Sequence, residues 1–474
     1  MGNASGSSSQ IDDGMIALDL KDVHFLSNSV ADDFGRVFVY KDRIYRMISP
    51  DKEPLCREML GARFFKRLTD LGYIPETVIE EDMTISVENH DCIVLRHEKC
   101  PDTRQHEWSF EMFKAAVILL LQVKGICNED GYDLKDYHLG NITFKGTKPV
   151  FIDIGSFVKS SGNSSTMNDE FFTACLLPLL LWEDGEYFLN RCVISDNTHY
   201  SFLIPFQQAS DSAIVGKYKS RLSKTPGYYL RKTRVVFKNG LKRVANGCID
   251  AFHIKVRKRR YKSVSVDLPS IAKVSRIQRR HLLTAAESYH SNHPVPENDD
   301  RLDSIVELIH RHCADATTLT DIAGREGQFC LRLAKRMTLD RIFLIENDED
   351  TIDKTFCYLD KNSITNINTV FTNAMFPLYG EQDVRRLKSD LVVALAVTHH
   401  LILSQHFHVS FIFERLSMYT NRYVCVEFMP LGLSDGPVPA WYNEEWFTSH
   451  FLLHFRLIHK EQIASNSILY IGEK

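Results

Sequence analysis

A glycine-containing segment in the last third of the chain has the residue types that a nucleotide-like ligand requires. Residues 318–329 are predicted to form a strand, a tight turn and the start of a helix. Small residues such as Gly324 and Gly327 let a ligand approach the backbone, and a helix N-terminus offers free N–H groups. Glu346 ends the next predicted strand, where its carboxylate could accept both hydroxyls of a ribose. Alone, the turn fits an ordinary strand-to-helix connection equally well.

Another predicted strand in this region ends in polar side chains. Residues 390–401 form an apolar run that closes on Thr398, His399 and His400, and open α/β sheets bind ligands at the carboxyl ends of their strands. An imidazole with a pKa of about 6.5 suits a general base that deprotonates an acceptor hydroxyl. The alternatives are a structural pair that caps the strand and a zinc site completed by His406 and His408.

Residues 134–142 and 150–155 have the spacing of a kinase catalytic loop and its metal-binding Asp-x-Gly. In that chemistry, Asp136 would orient an acceptor hydroxyl, while Asn141 and Asp153 would hold Mg²⁺ ions that bridge the phosphates of ATP.

Upstream, the resemblance to a kinase-like lobe is incomplete. Arg46 stands where kinases keep a strand lysine, with Glu58 as its expected partner on the following helix, and only Gly35 remains of a glycine-rich loop. Because Arg and Lys are not equivalent at a phosphate-pairing site, a degenerate, structural domain is the alternative to an active one.

The elements that must position these residues follow from hydrophobic periodicity and turn residues. In the first part of the chain we predict a hairpin around Lys41 and Asp42, a helix at residues 54–71, a second hairpin at 84–96, a helix at 110–128 and strands at 142–144 and 150–154. In the last third, helices and strands alternate, which favours a doubly wound parallel sheet. Its predicted helices are residues 303–313 and 329–336, its strands are 317–322, 341–346, 390–397 and 423–428, and a terminal hairpin covers 455–461 and 467–471.

Four ordered segments of the last third resemble class I S-adenosylmethionine-dependent methyltransferases, in particular the branch related to nodulation host-specificity methyltransferases. The family's first motif, Asp-x-Gly-x-x-x-Gly-x-Phe, is matched by residues 321–329, with Ala323 at the first glycine. Its acidic strand end is matched by Glu346, its His-His-Leu by residues 399–401, and its Glu-Phe-x-Pro by residues 427–430. The resemblance implies a Rossmann-like sheet here.

The same resemblance implies roles for individual residues. Asp321, Gly324 and Gly327 would line the methionine and ribose side of S-adenosylmethionine, Glu346 would hold the ribose, and Asn373 falls where the third motif contacts adenine. Methyl transfer needs mainly in-line positioning of acceptor and sulfonium, because the sulfonium is already an activated donor.

The first part of the chain resembles the kinase-like region that is fused ahead of the methyltransferase in that family. The resemblance covers residues 34–205 and includes the motifs at residues 107–110 and 177–181. Chain-terminating kinase/methyltransferases of O-antigens combine these activities in the reverse order, and this analogy suggests a glycan or lipid-linked sugar substrate. We therefore predict a methyltransferase that O-methylates a sugar hydroxyl, with a bifunctional kinase/methyltransferase and a catalytically decayed scaffold as alternatives.

Charge is distributed unevenly along the 474 residues. The net charge is −4, but residues 217–280 contain 20 Lys and Arg against Asp250 and Asp267, which makes this segment +18 and the remainder −22. Such a block could pair with the acidic remainder, dock on an anionic membrane surface or bind a phosphorylated glycan carrier. Sequence-specific binding of nucleic acid is not expected, because no recognition module accompanies the charge.

Composition limits the remaining possibilities. The eleven cysteines have no C-x-x-C spacing, so neither a disulfide framework nor a zinc ribbon is indicated, and a reducing cytoplasm fits best. No apolar run is long enough to span a bilayer, although peripheral attachment to the inner membrane surface stays open. The predicted organisation is a disordered leader at residues 1–13, a kinase-like α+β domain at 14–205, a basic, partly helical connector at 206–285 and an α/β methyltransferase domain at 286–474.

Overall fold

The computed structural model describes residues 16–26, 29, 32–87, 90–160, 170–196, 218, 268–280, 299–433 and 437–474. The predicted leader and most of the basic connector, including residues 255–262, lie outside the described residues. The described end of the connector contains the helix Ile271–Ser275, whose Val274 is buried in the main hydrophobic core. This end of the connector is therefore part of the folded protein.

The N-terminal unit begins with a six-stranded sheet. Its strands are β1 (Ile16–Leu18), β2 (His24–Phe25), β3 (Gly35–Tyr40), β4 (Arg43–Ile48), β5 (Thr77–Val87) and β6 (His90–His97). They lie in the order β1-β5-β6-β4-β3-β2, and only β1 and β5 pair in parallel. The first predicted hairpin is confirmed, because Lys41 and Asp42 have φ of 46° and 61°, as a type I′ turn requires. The second predicted hairpin is also present, but its first strand begins at Thr77 rather than at residue 84.

The helix predicted at residues 54–71 is two helices, Glu53–Gly61 and Arg63–Asp70, separated by Ala62 in an extended conformation. The prediction of one continuous helix was wrong for a long-range reason. The carboxylate of Asp130 accepts a hydrogen bond from the backbone N–H of Phe64 at 2.6 Å, and it thereby satisfies a free amide at the start of the second helix.

A helical lobe follows the sheet. Its helices are Phe110–Glu129, Leu177–Asp184 and Tyr187–Asp196, and its short strands are β7 (Tyr132–Leu134), β8 (Ile142–Lys145), β9 (Lys148–Phe151) and β10 (Phe157–Lys159). This α+β arrangement agrees with the coarse prediction, while its kinase-like character stays a prediction. Within the described ranges, no helix is both long and apolar enough to cross a bilayer.

The C-terminal unit alternates helices and strands around a seven-stranded sheet. Its strands are β11 (Thr318–Ile322), β12 (Arg341–Glu346), β13 (Ile367–Phe371), β14 (Ser389–Ala394), β15 (Thr420–Phe428), β16 (Arg456–Ala464) and β17 (Ser467–Glu473). The helices are Asp300–His312, Gln328–Arg336, Glu349–Lys361, Glu381–Arg386, Val409–Tyr419 and Glu444–Phe451.

The strands of this sheet lie in the order β13-β12-β11-β14-β15-β17-β16. The first five are parallel, whereas β17 is antiparallel to both β15 and β16. The predicted doubly wound sheet and terminal hairpin are confirmed. Strand β14 ends at Ala394, three residues earlier than predicted, and the chain then turns through Ala396, whose φ is 47°.

Both faces of this sheet are buried, as expected for parallel strands covered on two sides. On β12, Ile342 and Leu344 belong to a core that continues into the N-terminal unit, whereas Phe343 and Ile345 face a second core on the opposite side. The carboxyl end of β12 is thus held between two packed layers.

Candidate functional site

The order of the C-terminal sheet reverses between β11 and β14. In open α/β sheets the crevice outside the carboxyl ends of the strands at such a switch point is the usual ligand site. The sequence-predicted residues of the last third lie at this edge, because Asp321, Glu346, Asn373, His399 and Glu427 each end or follow one of the five parallel strands. The structure therefore places these five side chains along one edge of the sheet.

The turn after β11 depends on its glycines. A Cβ on Gly324 would lie 2.6 Å from an Asp321 carboxylate oxygen, and one on Gly327 would lie 2.7 Å from a methyl group of Leu344. Gly327 also has a φ of 78°. Ala323, at the family's first glycine position, has a φ of 58°, which costs an L-residue about 1–2 kcal/mol. The backbone thus keeps the tight course of a glycine turn despite the alanine.

Glu346 is oriented by the backbone around it. Its carboxylate accepts hydrogen bonds from the N–H groups of Arg325 at 3.1 Å and Asn347 at 2.7 Å. Since a carboxylate has about four acceptor positions, two such bonds leave capacity for the hydroxyl pair of a ribose. Glu346 is only 5% exposed, and burial raises the pKa of its carboxyl.

Asp321 lies one strand away from Glu346 and is 2% exposed. Burial raises the pKa of the Asp321 carboxyl to about 7; the charge of Glu346 acts in the same direction, while a hydrogen bond from the Cys330 thiol acts to lower it. A glycine cradle beside two buried carboxyls fits a ligand that carries hydroxyl donors and a positive charge. The two carboxyls therefore match the hydroxyl donors of the ribose and the positive sulfonium of S-adenosylmethionine.

Asn373 follows β13 and is exposed. Its side-chain oxygen accepts hydrogen bonds from the backbone N–H groups of Met375 at 2.9 Å and Phe376 at 3.2 Å. The oxygen therefore shapes the loop, and the amide N–H₂ is the part of this side chain that could donate to a ligand. The predicted adenine contact stays a prediction.

The two histidines after β14 have different surroundings. His399 is 7% exposed, and its Nδ1 is buried without a hydrogen-bond partner, whereas His400 is half-buried with its ring centroid 4.1 Å from that of His399. Burial, and then the charge of His400, lowers the pKa of His399 to about 3. His399 is thus a neutral hydrogen-bonding group at physiological pH and a weaker base than the sequence predicts.

The zinc alternative is not supported by the described residues. Among the described residues, two groups of three possible ligands have their ligand atoms within 4.8 Å of one another. Neither group includes His399, His400, His406 or His408. His408 instead caps the helix Val409–Tyr419 by accepting a hydrogen bond from the N–H of Ser410 at 3.3 Å.

A polar cluster at the end of β15 combines residues that sequence reasoning did not assemble. Glu427 is fully buried, and its carboxylate accepts hydrogen bonds from Arg301 at 2.6 and 2.7 Å and from Ser467. The Thr398 hydroxyl donates to the Glu427 carbonyl at 2.8 Å, which ties the segment bearing His399 to the end of β15. The family motif marked Glu427, but no local signal marks its partners, because they are 126 and 40 residues away.

In the N-terminal unit, Arg46 forms a different ion pair from the one predicted. Its guanidinium binds Asp153 at 3.1 Å and also Asp32, and the side chain is 5% exposed. Glu58 binds Lys159 at 2.8 Å and Tyr132 at 3.1 Å, so the predicted Arg46–Glu58 pair was wrong. Glu58 thus contacts residues of β7 and β10 instead.

The loops that carry Asp136, Asn141 and Asp153 lie side by side. The N–H of Asp136 donates to the Ser156 hydroxyl at 3.2 Å, and the N–H of Ile152 donates to the Asn141 carbonyl at 2.8 Å. The Nδ2 of Asn141 is buried without a hydrogen-bond partner. These positions suit a polar ligand between the loops, but Arg46 already supplies a cation to Asp153.

Comparison with known proteins gives one full-length similarity. No family model matches this chain. The chain is similar to the nodulation protein NoeA of Rhizobium meliloti (strain 1021), with 23% identity over 481 residues, which cover 95% of this chain and 96% of that protein.

Solved structures are similar to part of this chain. The PH0226 protein of Pyrococcus horikoshii OT3 is 14% identical and covers 39% of this chain and 98% of its own, with a TM-score of 0.32. A SAM-dependent methyltransferase from Aquifex aeolicus is 13% identical and covers 39% and 97%, with a TM-score of 0.31. The N-terminal domain of EvdMO1, solved with SAH and D-fucose, is 12% identical and covers 38% and 84%, with a TM-score of 0.29. The C-terminal unit, by its own sheet order and the reversal between β11 and β14, is a doubly wound α/β domain.

Proposed function

We propose that this protein is an S-adenosylmethionine-dependent methyltransferase that methylates a hydroxyl group of a sugar or glycan. The observation that carries the proposal is the edge formed by Asp321, Gly324, Gly327 and Glu346. There a glycine cradle and two buried carboxyls meet at the switch point of a doubly wound sheet. The acceptor class rests on the analogy, drawn from the sequence motifs, with the chain-terminating kinase/methyltransferases of O-antigens.

The chemistry divides between cofactor and protein. Bound S-adenosylmethionine supplies an activated methyl group, so the protein needs mainly to bind, align and exclude water. Glu346 would hold the ribose, and Asp321 would balance the positive charge. As the acceptor oxygen bonds to the methyl carbon and the carbon–sulfur bond breaks, the hydroxyl proton must leave. His400, which follows the neighbouring strand β14 and is less buried than His399, has the imidazole that could accept it.

Calorimetric titration with S-adenosylhomocysteine tests the cofactor site without knowledge of the acceptor. We expect micromolar binding that weakens at least 100-fold in Glu346→Ala and at least 10-fold in the shape-conserving Glu346→Gln. The exposed Glu381, on a short surface helix, gives the matched control Glu381→Ala, which should bind like the wild type. Absence of binding in a folded wild-type protein would refute the proposal and favour a scaffold.

A second candidate function is nucleotide binding by the N-terminal unit, because Asp136, Asn141 and Asp153 lie on adjacent loops and Asn141 has a buried, unpartnered Nδ2. It is tested by titration with ATP in the presence and absence of Mg²⁺. Binding that is abolished in Asn141→Ala and Asp153→Ala supports this candidate. If ATP does not bind with or without Mg²⁺, the N-terminal unit has a structural role.

A further inference from the structure

Two buried polar atoms without partners flank the carboxyl ends of β14 and β15. One is Nδ1 of His399, and the other is the hydroxyl of Tyr442, a residue that is 3% exposed. Tyr442 lies in the segment that follows β15 and packs against Phe428, the last residue of that strand, with ring centroids 5.0 Å apart. A buried polar group without a partner costs about 1–3 kcal/mol, so two such groups on adjacent strand ends call for an explanation.

The segments that carry these two atoms are packed together. Gly432, after β15, lies so close to Leu403, after β14, that a Cβ on the glycine would be 2.9 Å from a leucine methyl group. The Thr398 hydroxyl bonds to the Glu427 carbonyl at 2.8 Å. The segments that carry the two orphan atoms are therefore in contact with each other. Residues 398–403, 427–432 and 441–442 are called here the β14–β15 wall, and they lie on the side of the switch point opposite β12 and its Glu346.

An exposed indole lies next to Tyr442. Trp441 is 51% exposed, although its ring is supported edge-on by Trp446, 5.0 Å away at 67°, and by Tyr442, 5.9 Å away at 80°. Large aromatic side chains that are held in place yet left exposed mark binding surfaces more often than chance. The negative π-face of an indole attracts the weakly positive C–H groups that cover one face of a pyranose ring.

The charged residues of this wall restrict the class of acceptor that it could bind. The sequence contains no Lys or Arg between Lys388 and Arg415, and none between Arg422 and Arg456. A cation in contact with the wall, Arg301, is already bound to the buried Glu427. Phosphates and carboxylates are recognised in proteins by Arg and Lys, and these two segments contain neither residue for a charged acceptor to bind.

We infer that this wall binds the acceptor and selects an uncharged, polyhydroxylated sugar ring, which stacks on Trp441 while its hydroxyls bond to Tyr442 and His399. This inference rests on the proposed function and specifies its substrate class. In the neutral imidazole with its proton on Nε2, Nδ1 accepts a hydrogen bond from one sugar hydroxyl, and the Tyr442 hydroxyl donates to another.

The test measures transfer of labelled methyl from S-adenosylmethionine to two matched sets of methyl glycosides: neutral hexoses and deoxyhexoses, and the same sugars carrying a phosphate or a carboxylate. We expect transfer to at least one neutral glycoside and at least 10-fold lower kcat/KM for its charged counterpart. Trp441→Ala should raise the KM for the sugar at least 10-fold, and Tyr442→Phe at least 3-fold, with affinity for S-adenosylhomocysteine unchanged in both. The control Phe188→Ala removes another exposed aromatic ring, in the N-terminal unit, and should not alter the KM.

Three outcomes would overturn the inference. They are preference for the charged sugars, a KM in Trp441→Ala equal to that of Phe188→Ala, and no transfer to any neutral glycoside by a protein that binds S-adenosylhomocysteine. Loss of S-adenosylhomocysteine binding in the wild type is a different failure, because it refutes the proposed function itself.

Discussion

Asp321 is a carboxylic acid almost without contact with solvent, and this sets a pH dependence for the free protein. Its pKa is raised from 3.8 to about 7, mainly by burial. Between these two pH values the folded chain holds a proton that the unfolded chain has released. The stabilising contribution of this proton is therefore greatest at the acidic end of the window, and it falls as pH rises by up to about 1.4 kcal/mol per pH unit.

We predict that Asp321→Asn abolishes this slope. The free energy of unfolding is measured with urea at pH 5, 6, 7 and 8. The free energy of the variant, relative to that of the wild type, should increase as pH rises to about 7 and stay constant above that pH. The exposed Asp340, at the start of β12, gives the control Asp340→Asn, whose difference from the wild type should not vary across this window. A pH-independent difference for Asp321→Asn would contradict the argument.

Ala323 gives a second prediction at this scale. Its φ of 58° is strained for an alanine, so Ala323→Gly should raise the free energy of unfolding by about 1 kcal/mol, even after the extra entropy of glycine in the unfolded chain. Its affinity for S-adenosylhomocysteine should not fall. The reverse change, Gly327→Ala, meets both a φ of 78° and the Leu344 side chain, and it should destabilise by about 2–3 kcal/mol. Equal effects of the two variants would show that the turn is not strained.

At the scale of elements, strand β4 delivers Arg46 to the turn after β9, where it bridges Asp32 and Asp153. The guanidinium supplies the positive charge that a metal ion would otherwise bring to Asp153. Removal of this buried cation leaves the two partly buried carboxylates without their shared partner, so we expect Arg46→Met to destabilise by about 2–3 kcal/mol. Arg43→Met, an exposed position on the same strand, should change stability by less than about 0.5 kcal/mol.

The same pair of variants tests whether Arg46 replaces a metal. Millimolar Mg²⁺ should raise the melting temperature of Arg46→Met by several degrees more than that of the wild type or Arg43→Met, because only that variant exposes an uncompensated carboxylate pair. If Mg²⁺ stabilises the wild type as strongly, the metal binds without displacing Arg46 and the kinase-like interpretation gains support.

At the scale of the whole molecule, a buried polar cluster joins the two units. Arg386, on the helix Glu381–Arg386, donates to Glu107 of the N-terminal unit at 2.5 Å and to Asp383 at 2.6 Å. Both carboxylates are fully buried, and His106 lies 3.4 Å from Asp383. Although burial acts to raise it, the pKa of Asp383 is held well below its usual range by the hydrogen bonds from His106 and Arg386.

Arg386→Met should therefore destabilise the protein by about 3–5 kcal/mol, because it leaves two buried carboxylates without a cation. Arg385→Met removes the exposed neighbouring arginine and should cost less than about 0.5 kcal/mol. Urea unfolding followed by tryptophan fluorescence measures both. A small effect of Arg386→Met would mean that the units are joined mainly by their shared apolar core.

A second group of ion pairs links the end of the basic connector to the helix Glu349–Lys361 of the C-terminal unit. Arg279 binds Asp350 and lies 3.4 Å from Asp353 and 3.7 Å from Glu349, all on the helix that follows Glu346. Of the roles predicted for the basic block, pairing with the acidic remainder is therefore present in its described part. Docking of residues 217–280 on an anionic membrane stays a prediction.

The sequence by itself determined most of the C-terminal sheet, its glycine turn and the residues at its carboxyl edge, although strand β13 (Ile367–Phe371) was not predicted. These features are local: alternation and apolar runs specify strands, and glycines specify a turn that admits no Cβ at Gly324 and Gly327. The residues of the edge could be predicted because parallel strands bring their carboxyl ends together whatever the loops contain.

Only the tertiary structure decided which charges meet and how much water reaches them. The break at Ala62 depends on Asp130, Arg46 pairs with Asp153 rather than Glu58, and Arg386 meets Glu107 across 279 residues. The burial that makes His399 a weak base likewise comes from packing around β14. Such pairings form between residues far apart in sequence, and their energies depend on local desolvation, which no spacing pattern in a single sequence encodes.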